Sequence, residues 1–148
     1  MKKLILMAVL PMIIFISGCS KDQKVVRQLD GEWKINSMTK DGNAADKEDY
    51  QYTTYIFTKC KVSKGDCDGS VKYSDPSKGS FTFPFKYNIS EKGEKITIKT
   101  TSGNETETTE GTILEHSKSK FVYSFEESEA DENGNPFMHK YVVTLEKI

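Results

Sequence analysis

Three cysteines, two histidines and a few carboxylate runs are the side chains here with chemistry beyond packing. Cys19 stands behind Ile16-Ser17-Gly18 at the end of the apolar stretch Leu4–Ser20, with Lys2 and Lys3 ahead of it. A basic start, an apolar run of about a dozen residues and small residues before a cut form an export signal. Small residues ahead of Cys19 admit a signal peptidase, and its thiol is the nucleophile that takes a diacylglyceryl group. The apolar run is too short to span a bilayer comfortably, and Pro11 interrupts it. Residues 1–18 therefore read as a cleaved signal peptide, and Cys19 as the lipidation site. Cys60 and Cys67 remain as an even pair in an exported chain, which reads as a disulfide. Gly65 offers a turn between them, and a hairpin brings two Cα atoms within bridging distance. A zinc site would want more ligands than the distant His116 and His139, and the spacing is not the C-x-x-C of a redox pair.

Catalysis by Ser or Cys needs a base within hydrogen-bond reach that a third group orients. His116 lies in the turn-like Glu115-His116-Ser117-Lys118, and His139 alternates with either Met138 or Tyr141, depending on register. Both read as packing or surface residues, so no catalytic residue, metal ligand or cofactor is expected. Glu105, Glu107 and Glu110, interleaved with threonines, read as a solvated strand and loop with some attraction for cations. Asp131–Asn135 lacks the distant bidentate Glu of a calcium loop and reads as a turn. The chain carries a formal net charge of -1, and -3 once Lys2 and Lys3 leave with residues 1–18. That mild acidity argues against nucleic acid and against a polybasic membrane-surface module. Membrane attachment is left to the lipid at Cys19, since two or three acyl chains anchor stably where one does not.

The elements that must position these groups are almost all strands. Ser20–Lys24 is a short polar tether, and Val25–Leu29 fits one helical turn. Trp33–Met38 then alternates, with Trp33, Ile35 and Ser37 on one face. Tyr50–Lys59, Cys67–Ser74, Ser80–Ser90, Glu94–Thr101, Glu107–Glu115, Lys120–Glu127 and Phe137–Lys147 follow, with aromatic and β-branched residues at period two. Phe81, Phe83, Phe85, Tyr87 and Ile89 give the clearest alternation; Ile113 is the best inward candidate of the polar Glu107–Glu115 strand. Asp75–Gly79, Glu91-Lys92-Gly93, Ser102-Gly103-Asn104 and Asp131–Pro136 supply turns, and Pro84 marks an edge, a bulge or a bend. Short strands at roughly ten-residue spacing predict an antiparallel meander, folded as a barrel or a sandwich; closure would remove both exposed edges.

Leu29-Asp30-Gly31-Glu32-Trp33-Lys34-Ile35 resembles the G-x-W signature of lipocalins, at the start of the first barrel strand. The likeness is to the compact lipocalin-like domains of bacterial lipoproteins, in which this motif follows a lipobox by a short tether. It implies an all-β fold: an eight-stranded antiparallel up-and-down barrel over residues 29–148, behind a lipidated tether at 19–28. In that fold the Trp plugs the closed end, and the Gly lets the chain turn tightly into the strand. Lipocalins often place an Arg over that Trp; the only Arg here is Arg27, ahead of the motif, which leaves Lys140 or Lys147 as substitutes. The T-D-Y segment and the helix after the last strand are missing. The lipidated Cys19 implies a protein held in the cell envelope, and Ser20 behind it, unlike an inner-membrane retention signal, points to the outer membrane, facing the periplasm or the surface; the resemblance implies that it binds a small hydrophobic ligand. The candidate interior residues are Trp33, Tyr55, Phe57, Phe83, Phe85, Tyr87, Tyr123 and Tyr141. The aromatic load either fills the barrel or rims a mouth for a small apolar ligand. The alternative is an envelope interaction protein with a filled barrel and no ligand, whose loops Asp41–Asp49 and Glu127–Pro136 contact a partner.

Overall fold

The computed structural model describes residues 20–148; Cys19 and the stretch read as a signal peptide lie outside the described residues. The chain opens with helix α1 (Lys21–Leu29) and continues as β1 (Gly31–Lys40), β2 (Asn43–Ala44), β3 (Thr53–Phe57), β4 (Cys67–Asp75) and β5 (Gly79–Ser90). β6 (Lys95–Ser102), β7 (Glu105–His116), β8 (Lys120–Ala130) and β9 (Pro136–Lys147) complete it. Every strand is antiparallel to its neighbour, and β1 also pairs with β9 from Trp33↔Lys147 to Lys40↔Tyr141. That pairing closes β1 and β3–β9 into an eight-stranded barrel, with the two-residue β2 as an extra on β1. The eight strands read from alternation are the eight of the barrel.

Two local readings differ from the structure. The polar stretch read as a tether is helical: Ser20 caps α1 by accepting a hydrogen bond from Gln23 N (3.1 Å), so the helix begins at Lys21. Val25, Val26 and Leu29 fall on one face of α1 and are fully buried in the barrel end. Nine residues are too few for that periodicity to stand out against the polar residues between. Ser37 does not share the face of Trp33, because a β-bulge between Ile35 and Ser37 shifts the register. Ser37 is exposed, and Met38 packs toward the core in its place.

The barrel has a sealed end and an open one. At the sealed end α1 lies under the strands. Gln23 donates to the Cys60 carbonyl (2.7 Å) and accepts from Val62 N (3.2 Å), while Asp22 accepts from Gly93 N (2.6 Å). Trp33, Phe57, Tyr87, Phe121, Ile96 and Leu145 fill the space above the helix, each at most 1% exposed. Burying a side chain of this size contributes about 1.5–3 kcal/mol, so this half carries most of the fold's stability. Toward the open end the ladders between neighbours run out. β5 and β6 pair only from Ser90↔Lys95 to Phe85↔Thr100, and β7 and β8 only from His116↔Phe121 to Gly111↔Phe125. The β5–β6 ladder stops one residue short of Pro84, which has no N–H to donate. Above those points the sheet parts into three leaves, β3–β4–β5, β6–β7 and β8–β9–β1, each paired within itself.

Candidate functional site at the barrel mouth

The side chains that could meet a ligand follow from the strand register. Residues opposite each other in a ladder share a face, and every second residue repeats it. The parity that buries Tyr87 and Phe85 also points Phe83 and Phe81 inward, and the parity that buries Tyr123 points Phe125, Glu127 and Glu129 inward. On β9 the same rule aligns Val143, Tyr141, His139 and Phe137, so His139 is in phase with Tyr141 and not with Met138. The mouth is therefore an aromatic and acidic continuation of an apolar core.

The eight candidate interior residues fall into two groups. Trp33, Phe57, Phe85, Tyr87 and Tyr123 are at most 3% exposed and are taken up in packing. Phe57 meets Tyr87 edge-on at 5.1 Å between ring centroids and Phe85 at 5.6 Å. The Trp33 indole N–H donates to the Leu29 carbonyl at 2.6 Å, which ties the barrel floor to the last residue of α1. Lys147 takes the place of the missing arginine: its Nζ lies 5.5 Å from the Trp33 ring centroid and also donates to the Asp30 carbonyl. Gly31 has φ +122°, and a Cβ there would come within 2.9 Å of the Lys147 chain, so the turn into β1 requires glycine. Burial pushes the Tyr87 hydroxyl above its ordinary range, and the hydroxyl donates to the Thr58 carbonyl (3.1 Å).

Tyr55, Phe83 and Tyr141 belong to the mouth. Tyr55 is half-buried; its hydroxyl meets that of Tyr123, and burial raises the pKa of both. Phe83 is 60% exposed on the inner face of β5 although it alternates in phase with the core. Tyr141 stacks on Phe125 at 5.1 Å, holds the Lys40 ammonium 5.5 Å above its ring and donates to Glu129 (3.1 Å). Lys40 also pairs with Glu129 at 2.8 Å, and that hydrogen bond holds the Glu129 carboxyl below its ordinary pKa. Beside them His139 sits between Asp41 (2.5 Å) and Glu129 (3.5 Å), with Phe137 edge-on to its ring at 4.7 Å. Asp41 also accepts from Lys140 N, and that bond keeps its carboxyl low. Between β7 and β8, where the ladder is missing, a cleft of about 730 Å³ runs from the inner face to the outer. Glu107, Thr109, Phe125 and Glu127 line its inner side.

The disulfide is present: Cys60 and Cys67 are bonded, with Cα atoms 5.4 Å apart, and close the β3–β4 loop against α1. Cys19 lies outside the described residues. Reading the chain alone missed Phe125, Glu107, Glu127 and the Lys40–Glu129–His139 group as mouth residues. A usable signal was there in β8, where Glu127 and Glu129 continue the alternation of Phe121, Tyr123 and Phe125.

No curated protein matches the chain. Among solved structures, a lipocalin-like protein from Bacteroides uniformis is similar over 82% of this chain and 99% of its own, at 15% identity and a TM-score of 0.53. Bovine odorant binding protein, solved with its natural ligand, matches 82% of this chain and 72% of its own, at 14% identity and a TM-score of 0.49. The family description "lipocalin-like domain" matches residues 29–123, from the start of the G-x-W segment into β8. With the sealed barrel, the tryptophan at its floor and the lysine above it, that match places the chain in the lipocalin-like domain family.

Proposed function

We propose that this protein is a lipid-anchored lipocalin-like binding protein of the bacterial cell envelope, at the outer membrane, that holds a small hydrophobic ligand in its barrel mouth. The carrying observation is the uncovering of inward-phased aromatic side chains where the barrel parts. Phe81 and Phe83 are 53% and 60% exposed on a face whose continuation is fully buried. A protein with nothing to bind there would gain by covering them. Tyr55, Tyr141 and Phe125 add rings with polar tips, which suits a ligand with an apolar body. The anchor is supported by the lipobox at Ile16–Cys19 and by the position of Ser20, the α1 cap next in the chain. A binding role is supported by the setting of the imidazole nearest the mouth, His139, which is held between the carboxylates of Asp41 and Glu129.

The packed lower half of the barrel favours a second reading, an envelope interaction protein that uses its mouth loops and holds no ligand. Mass spectrometry of the mature protein from its native membrane distinguishes the two. The proposal expects a diacylglyceryl mass on the peptide beginning at Cys19, and a small molecule released on denaturation. A free Cys19 thiol overturns the anchor. An empty barrel, with no shift of Phe83 or Tyr141 resonances on exposure to native lipid extract, overturns the ligand reading in favour of a protein partner.

A further inference from the structure

We infer that the mouth selects a cationic amphiphile, an amine carried on an apolar or aromatic body, and rejects carboxylate lipids. The inference rests on the reading of the mouth as a ligand site and names the chemistry of the ligand. Its basis is the side of the sheet on which charge is placed. In the parted strand segments the inner face carries Asp75, Glu105, Glu107, Glu127 and Glu129 against one lysine, Lys40, and one imidazole, His139, which is held between Asp41 and Glu129. The outer face of the same segments is balanced, with Lys72 and Lys140 against Glu110 and Glu126.

The inner carboxylates are not equally free. Asp75 accepts from Ser77 and Tyr73, and Glu129 is taken by Lys40 and Tyr141. Glu107 and Glu127 form no ion pair among the described residues. Both line the inner side of the cleft between β7 and β8, with Phe125 beside them and Tyr141 stacked on Phe125. The cleft's volume of about 730 Å³ is within the range of small-molecule sites. An ammonium placed there would meet two unpaired carboxylates, while its apolar body lies along exposed rings. Lys40 already rests its ammonium over Tyr141, so these rings accept a cation in the protein's own packing. A carboxylate ligand in the same place would face Glu107, Glu110, Glu126 and Glu127 against two lysines on the cleft's outer side, Lys140 and Lys95, the latter paired with Glu91, so like charge prevails.

The test uses octylamine, octanol and octanoate as probes on the lipid-free chain of residues 20–148, which holds every strand and the whole described core. Affinities come from calorimetry, and amide shifts locate the site. At low salt octylamine should bind about tenfold tighter than octanol, with octanoate weakest, and the difference should shrink as salt screens the carboxylates. The double variant Glu107→Gln/Glu127→Gln, at two exposed positions, should bring the three probes within about threefold of one another. If octanol binds in the mouth and octylamine binds no tighter, or if the double variant keeps the preference, the charge selection is wrong and the ligand site stands. If none of the three binds in the mouth, the ligand site itself is wrong and the selection falls with it.

Discussion

Replacing Trp33 by phenylalanine should destabilise the barrel by about 2–4 kcal/mol and should loosen α1 before any strand. The indole N–H donates to the Leu29 carbonyl at 2.6 Å, and Leu29 is 1% exposed, so water cannot replace the lost donor. A buried carbonyl left without its partner costs about 1–3 kcal/mol. The smaller ring gives up roughly 40 Å² of buried apolar surface, worth about 1 kcal/mol at 25 cal/mol per Å². Because Leu29 ends α1, the unpaired group sits at the joint between helix and barrel floor. Urea unfolding measures the loss, followed by far-ultraviolet circular dichroism because the variant has no tryptophan left to report. Hydrogen exchange then locates it: amides of Val25–Leu29 should lose protection while those of β8 and β9 keep theirs. A stability change under about 0.5 kcal/mol, the range of neutral surface substitutions, would refute the reasoning. So would a large change with α1 protection intact, since the damage would then lie elsewhere in the core.

Removing the disulfide as Cys60→Ala/Cys67→Ala should cost about 2–3 kcal/mol by loop entropy, for a bridge between residues 7 apart, and reductant should destabilise the parent but not the variant. Asp75 caps the β4–β5 turn, and the hydrogen bond from Ser77 Oγ holds its carboxyl below the ordinary 3.8. Its contribution is therefore present above that ordinary value and lost as pH falls through the lower folded one, so Asp75→Asn should flatten the acid limb of a stability–pH curve measured by urea titration. Phe83→Ala, at a 60% exposed ring, should leave stability within about 0.5 kcal/mol while weakening octanol binding in calorimetry.

The barrel was legible in the chain because both sheet faces have different solvents over most of its length. Phe81 through Ile89, Phe121 through Phe125 and Tyr141 through Leu145 alternate without a break, and Gly31 and Trp33 mark where the first strand starts. The cysteine pair was legible from its number and spacing. What escaped was set by tertiary context. α1 shows only three buried positions in nine residues, and its function as a plug depends on a barrel floor that no local pattern describes. The bulge after Ile35 leaves no mark in a run that alternates well enough in either phase. The parting of the leaves was half legible: Pro84 flagged an edge or a bend, but only the register shows that β6 leaves β5 there and that β7 and β8 separate opposite. Phe83 and Phe85 are equivalent by alternation, and only that separation makes one of them accessible.

Ser20 is both the cap of α1 and the residue next to Cys19, and α1 is clamped to the floor by Asp22 and Gln23. On the proposed anchor, the protein has almost no leash. It would stand upright, with its sealed end against the headgroups and its entrance turned away from the bilayer. The 12 residues of β5, at about 3.3 Å each and a strand tilt near 40°, set that entrance roughly 30 Å above the attachment point. A ligand would then arrive from the aqueous side, and a donor or acceptor on a facing surface could reach the opening without the protein leaving its own membrane.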